Sequence, residues 1–349
     1  MTIRHHLVAA TLGALALAGT ASPVRAEAPV KITAAIVPAI SAGGLFIAQE
    51  KGYFRDAGLD VEIQNIESGS DLQAMLATNR VQVTSGALSA AMFNSIARGL
   101  PVKVFYAVSV SPAFHYFMVR SDLKDKFKTP ADLRGRSIAI SGRATGDYYA
   151  VGRVLESAGL TMNDADVKTV GFSQMPAALQ NKAIDVAVMI PPLTDAMVAK
   201  HIAVKWLNPE DYLKVKPELI AVGQMNTDWA KSHEAAAKAY LKAVLKGTRE
   251  YCEAYHHGPN RADVVRILAK YSSIHDPALI ERIEWGASDP IGTIPVASIK
   301  DFEAFEVAHK LIGHEVPIDR VVELNWIDEA ARALGPFKLV HDDGTPGCR

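Results

Sequence analysis

Short β-rich runs that alternate with helical patterns constrain this chain more than any other feature, because that rhythm builds β-α-β units around largely parallel sheets. The pattern predicts strands over 31–37, 61–66, 81–85 and 102–110, with helices over 41–51, 70–77 and 87–98 between them. Gly99 followed by Pro101 closes the last of these helices, a C-cap glycine before a proline stop. A second set follows, with strands over 117–120, 137–141, 167–172 and 184–190. Helices over 147–158, 175–181 and 193–200 alternate with them, and Thr129-Pro130 opens a short helix in the same set. A strand over 219–225 then leads into a helix-rich tail, 228–335, with too few strands for a third sheet.

The expected fold is therefore α/β with two lobes, each a mainly parallel sheet flanked by helices. Residues 27–118 form the first lobe, 119–222 the second, and 223–349 return to the first. The chain must cross between lobes twice, near 117–121 and near 223–227, and two crossings make a hinge. The 349 residues are enough for two cores of ordinary size. Thirty-seven basic residues against 38 acidic ones remove the electrostatic argument for a nucleic-acid binder or a polybasic membrane protein.

Residues 1–26 read as a signal peptide. Arg4 and the His5-His6 pair precede an apolar run over 7–18, and Val24-Arg25-Ala26 puts short side chains at a cut after Ala26. The run is shorter than the roughly 20 residues a permanent span needs. Export to the periplasm by the general secretory route is the expectation, and the mature chain would be mildly acidic.

Cys252 and Cys348 would meet an oxidising compartment, so a bridge between them is one reading. A buried free thiol is the other, because Cys252 continues the apolar stripe Leu241, Val244, Leu245, Thr248 and Tyr255. CxxC and HExxH are both missing, so a zinc site has no support in the sequence.

One stretch is specific: Gly44-Leu45-Phe46-Ile47-Ala48-Gln49-Glu50-Lys51-Gly52-Tyr53-Phe54-Arg55-Asp56-Ala57-Gly58-Leu59-Asp60-Val61-Glu62. A helix ends at Gly52, aromatics pack its end on the sheet, and Gly58 turns the chain into the next strand. The stretch resembles the start of periplasmic substrate-binding proteins of the sulfonate, nitrate and taurine type and of relatives that bind thiamine-pyrimidine precursors. Asp132-Leu133-Arg134-Gly135-Arg136-Ser137-Ile138-Ala139 and Ala178-Leu179-Gln180-Asn181-Lys182-Ala183-Ile184-Asp185-Val186-Ala187 extend the likeness into the second lobe. Where that family often carries Gly after the helix and an acid before a proline, this chain has Asn181-Lys182 and Ile190-Pro191-Pro192. These departures bear on ligand class rather than fold.

The resemblance implies the type II periplasmic-binding-protein fold and the solute-binding role of an ABC importer. A small organic anion, a sulfonate or carboxylate with aromatic or pyrimidine-like character, would be trapped by hinge closure. It would then be handed to a membrane permease by a monomer without a cofactor. The chain has no GxxxxGK[ST] of its own, so the ATP chemistry would lie elsewhere. The cysteine-rich motif of thiamine-precursor synthases is absent, and the first-lobe cleft loops lack the cysteine nucleophile of desulfinase-like enzymes. Binding is favoured over catalysis. The alternatives are an exported enzyme using His115, Asp147 or Arg143 on a small anion, and a sensing domain that feeds a membrane receptor.

In open α/β sheets ligands bind beyond the C-terminal ends of the strands. Three small-residue loops qualify: 38–44 with Ser41, Gly43 and Gly44; 85–89 with Ser85, Gly86 and Ala87; and 141–147 with Arg143, Ala144 and Thr145. Their amides could meet an anionic or polar ligand, or the residues could merely turn and cap. Arg143 could hold a carboxylate or sulfonate in a forked geometry, or pair with Asp147 in solvent. Phe46, Phe114, His115, Tyr116 and Tyr148 are candidate walls, although Phe46 fits the core equally well, and Pro191 follows the strand over 184–190. Ser85 has no neighbouring His-Asp pattern that would make it a nucleophile.

Overall fold

The computed structural model describes residues 28–66, 69–113, 115–345 and 347–348; the expected signal segment and Phe114 lie outside the described residues. Among the described residues, ten strands form two five-stranded sheets. They are β1 (Val30–Ile36), β2 (Leu59–Asn65), β3 (Val83–Ala87), β4 (Val102–Val110) and β5 (Tyr116–Arg120), then β6 (Ser137–Ile140), β7 (Asp166–Thr169), β8 (Val186–Met189), β9 (Ala203–Leu207) and β10 (Leu219–Asn226). The first sheet has the order β2-β1-β3-β10-β4, and the second β7-β6-β8-β5-β9.

Both sheets are mixed rather than simply parallel, and the odd strand has the same origin in each. β10 runs antiparallel to β3 and β4, and β5 runs antiparallel to β8 and β9. These are the two strands that arrive from the other lobe. β4 ends at Val110 facing the gap, and β5 begins across it at Tyr116, opposite Met189 at the end of β8. β10 likewise starts at Leu219 beside Val110. A strand that enters from the gap must run against neighbours whose C-terminal ends point into it. The crossings consequently fall earlier than 117–121 and 223–227, which are already paired within the sheets.

The helices that position the site are α1 (Gly43–Glu50), α2 (Ala90–Ala97), α3 (Gly146–Ser157), α4 (Leu193–Ala199), α5 (Glu234–Tyr255), α6 (Arg261–Tyr271) and α7 (Val296–Ala308). The tail does return to the first lobe. Ala287 and Val322 make isolated bridges to Val110 and Val104 of β4, and α5 packs on α1. That packing needs glycine on both sides, since a Cβ on Gly247 would stand 2.0 Å from the Gly44 carbonyl oxygen. Cys252, fully buried on α5, is bonded to Cys348, which joins the two sequence readings: a core cysteine that is also bridged.

α7 lies between the lobes. Phe302 stacks on Phe93 of α2 at 6.1 Å and meets Tyr149 of α3 at 5.2 Å. Phe305 covers Gly152, where a Cβ would fall 2.2 Å from the ring. Asp301 accepts from Arg153 at 2.8 Å and from the Tyr149 hydroxyl at 2.5 Å. No helix among the described residues is long and apolar enough to cross a membrane.

Candidate functional site

The C-terminal ends of the parallel strands face each other across the gap, so the loops beyond them border a cleft from both sides. Two contacts span it at separate points. The Ala90 amide at the start of α2 approaches the Ala144 carbonyl at 3.5 Å. On the β4 and β9 side, Glu284 of the first lobe accepts from the Tyr116 hydroxyl at 3.2 Å and from Lys205 at 2.9 Å.

Gly286 marks the floor. A Cβ there would lie 3.4 Å from Ser109 Oγ, 3.8 Å from Ser41 Cβ and 3.9 Å from Ala113 Cα, so strand, loop and crossing converge on bare backbone. The Tyr251 hydroxyl fixes it by donating to the Gly286 carbonyl at 2.7 Å. Behind the floor, Ser41, Gly44, Ser85, Tyr106 and Thr248 line a void of about 10 Å³, room for one water at most. The Tyr106 hydroxyl is buried there without a hydrogen-bond partner, and burial pushes its pKa up to about 12, so it remains a donor.

Several sequence candidates lie in the segments that follow the strand ends on the gap side. Ser41, His115, Tyr116, Ala144, Thr145 and Pro191 are half-buried, and Arg143 is exposed. Ala144 holds a left-handed backbone, φ 66°, a conformation that costs energy for a residue with a Cβ. Burial lowers the pKa of His115, opposed by the charge of Asp147, which favours a neutral ring next to the 141–147 loop. Asp147 does not pair with Arg143. Its carboxylate accepts from the Ser141 amide, the Thr145 hydroxyl and the Tyr148 amide.

Others are elsewhere. Phe46 is wholly buried and stacks on Tyr271 of α6 at 5.6 Å, the core reading. Gly43 and Gly44 serve helix packing, because side chains there would strike Tyr251 at 2.3 Å and the Thr248 hydroxyl at 2.3 Å. Tyr148 belongs to the seam with α7, against Phe305 and His309, and is 8% exposed. Ser85, Gly86 and Ala87 are the end of β3 rather than a free loop: they pair with Gly223, Val222 and Ala221, and the Leu88 amide is spent on the Ile220 carbonyl.

Sequence reasoning missed Glu284, Gly286 and Lys205. Gly286 and Pro290 interrupt the helical pattern of the tail, which was the available signal. His256, Asp342 and Asp343 bring three possible metal-ligand atoms within 4.8 Å of one another, where the end of α5 meets the C-terminal segment. Both His256 ring nitrogens there are already engaged, by Asp343 at 2.9 Å and the Gly347 carbonyl at 3.0 Å.

Two mixed sheets joined by two crossings, with opposed strand ends, define a solute-binding fold of the periplasmic-binding-protein type. The chain belongs to the NMT1/THI5 like family, whose model matches residues 40–255. It is similar to the riboflavin-binding protein RibY of Chloroflexus aurantiacus, 29% identical over 48% of each chain. It is also similar to a formylaminopyrimidine-binding protein of Halalkalibacterium halodurans, 28% identical over 58% of this chain and 60% of that one. The matches thus span about half to three-fifths of these curated relatives.

Among solved structures, the aliphatic sulphonate binding protein SsuA from Escherichia coli aligns with a TM-score of 0.68 at 16% identity, covering 84% of this chain and 92% of that one. The nitrate-binding protein NrtA from Synechocystis gives 0.68 at 18%, covering 88% and 89%. The desulfurization enzyme DSZB gives 0.63 at 13%, covering 87% and 99%. At these identities the likeness is one of fold.

Proposed function

We propose that this protein is the soluble, exported solute-binding component of an ABC importer. It captures a small organic ligand between its lobes by hinge closure and presents the closed form to a membrane permease. The observation that carries the reading is the pair of crossings, β4 to β5 and β9 to β10, which leaves two sheets free to pivot with their binding ends opposed. A ligand that touches both lobes favours the closed form by its differential affinity.

The ligand class we favour is a pyrimidine-type ring or a comparable planar body carrying an anionic or strongly polar group. Exposed Arg143, half-buried His115 and Tyr116, and bare backbone at Gly286 supply charge, ring edges and close approach. The named ligands of the two curated relatives, riboflavin and formylaminopyrimidine, support the ring. Binding is favoured over catalysis because both cysteines are tied in the disulfide, Asp147 is consumed as a cap, and His115 has no carboxylate bonded to it among the described residues.

The test is thermal unfolding with formylaminopyrimidine, riboflavin, an alkanesulfonate and nitrate, with mass spectrometry of each mixture. A ligand at a hundredfold its Kd stabilises by about 2.7 kcal/mol, a clear rise in Tm. We expect such a rise with one chemical class and recovery of the compound unchanged. Turnover of any probe would make the protein an enzyme, and no rise with any of them would remove the ligand assignment.

A further inference from the structure

Among the described residues, Glu306 of α7 is the carboxyl group that is wholly buried with neither oxygen hydrogen-bonded. Its place is the seam between lobes. One turn before it, Phe302 stacks on Phe93 of α2 from the first lobe, and beside it Phe305 covers Gly152 of α3 from the second. An unpaired carboxyl in such a site is costly unless it holds its proton.

The seam also stands off from the pivot. α7 begins at the second crossing, where Ser298 Oγ accepts the Leu219 amide at 2.8 Å. Glu306 lies eight residues further on, about 12 Å along the helix axis. At that end the N-termini of α2 and α3 approach each other through the Ala90 amide and the Ala144 carbonyl. In the hinge motion proposed above, rotation about the crossings would part these ends and admit water to the carboxyl.

Several of the surrounding polar groups are committed elsewhere, although the Nε of Arg153 is itself buried without a hydrogen-bond partner. On the α3 side, Arg153 is bonded to Asp301 and Glu156, and Asp147 caps its own loop. Arg143 and Glu306 both act on Tyr148 electrostatically, from the loop before α3 and from α7. From α2, Asn94 donates to the Leu311 carbonyl, and Arg320 reaches the Ile96 carbonyl. On α7 and the turn after it, His309 is bonded to the Phe305 carbonyl, Glu303 accepts the Val316 amide, and Lys310, His314 and Glu315 follow.

We propose that closing the lobes drives a proton from solvent onto Glu306, so that closure, and with it ligand capture, is coupled to pH. The inference rests on the hinge closure proposed above. Burial pushes the carboxyl up to about 7 in the closed form, whereas a solvated Glu titrates near 4.5. Between those values the closed form holds a proton that the open form lacks. Closure is therefore favoured as pH falls through this window and carries its full penalty above it.

The experiment needs no ligand. Small-angle scattering of the full chain would be compared at about pH 5.5 and about pH 8 for the wild type, Glu306→Gln and Glu306→Leu. The infrared difference spectrum between the two pH values would be recorded alongside. The expected result is a wild type more expanded at the higher pH, variants equally compact at both, and a protonated-carboxyl band that loses the same component in both variants, the remainder belonging to Glu218 and the other raised carboxyls. A wild type whose shape ignores pH, or variants that expand as it does, would overturn the proposal. Because no probe is added, that failure leaves the binding assignment standing, and a failed ligand screen leaves this result standing.

Discussion

Glu284, carried by the first lobe, holds the Lys205 ammonium of the second at 2.9 Å, while its other oxygen takes the Tyr116 hydroxyl. Lys205 is further fixed by Asp195 at 3.0 Å and sits 4.5 Å over the Tyr116 ring. In the hinge closure proposed above, this cluster serves as a latch between the lobes. Its groups are partly exposed, so the ion pair is worth about 0.5 to 1 kcal/mol rather than the value of a buried pair. Glu284→Gln should weaken whichever probe raises the Tm by about two- to fivefold. Lys205→Met should do the same, without loss of fold. Calorimetric affinities equal to wild type in both variants would show that the latch does not hold the closed form.

Gly286 gives a test of where the cleft floor lies. Its backbone is not left-handed, and a methyl would sit at ordinary contact distances from Ser109, Ser41 and Ala113. Gly286→Ala should therefore fold and bind. Gly286→Leu places branched bulk on the same spot and should remove ligand-induced stabilisation while the unliganded chain still unfolds cooperatively. Undiminished stabilisation by the probe in the leucine variant would put the site elsewhere.

Much of this architecture is written locally. The β-α rhythm, the cap at Thr129-Pro130 and the turn at Gly58 act over a few residues, and each is where periodicity and turn chemistry place it. The direction of β5 and β10 is not local. It follows from which end of a sheet a crossing strand enters, and that depends on the partner lobe. The site divides in the same way. Ser41 and Arg143 stand in the strand-to-helix loops that the sequence rhythm identifies and His115 just before the crossing strand, whereas Gly43 and Gly44 carry the same small-residue signature for a different reason, the close approach of α5. Glu284 and Gly286 were hidden because the tail reads as helices, and only tertiary pairing with β4 brings the segment to the cleft.

The second crossing has its own titration. Burial, with the neighbouring charges of Glu210 and Asp301, pushes Glu218 up to about 8. Glu210, whose side chain accepts the Ala113 amide at 2.6 Å, is also raised by burial. For an acid with a raised pKa, the folded state binds more protons than the unfolded chain, so stability falls as pH rises from the ordinary Glu value toward 8. Glu218→Gln should flatten that decline, with a Tm gain over wild type that is small near pH 5 and largest near pH 8. A gain independent of pH would mean that the variant acts through packing and not through charge.

The last residues are strapped to the same pivot. Cys348 is bonded to Cys252, the Glu253 carboxylate accepts the Val340 and His341 amides, and Asp343 meets both His256 and His257. The strap ends at Gly347, where a Cβ would stand 2.7 Å from Ala287 and 2.8 Å from Pro112 of the first crossing. Against the cost of burial, hydrogen bonds from Thr345, His256 and His257 hold the Asp343 carboxyl well below the usual range. That stabilisation is present above the ordinary Asp value and lost as pH falls below it. The disulfide closes a separation of 96 residues, for which the chain-entropy account gives about 4 to 5 kcal/mol. Reduction at neutral pH should therefore lower the urea midpoint by a corresponding amount, and Cys252→Ser with Cys348→Ser should reproduce it. If the tail also braces the crossing, the reduced protein should expose the Pro112 segment to proteases that leave the oxidised form intact. A midpoint unmoved by reduction would mean that the bridge adds nothing to the stability of the folded chain.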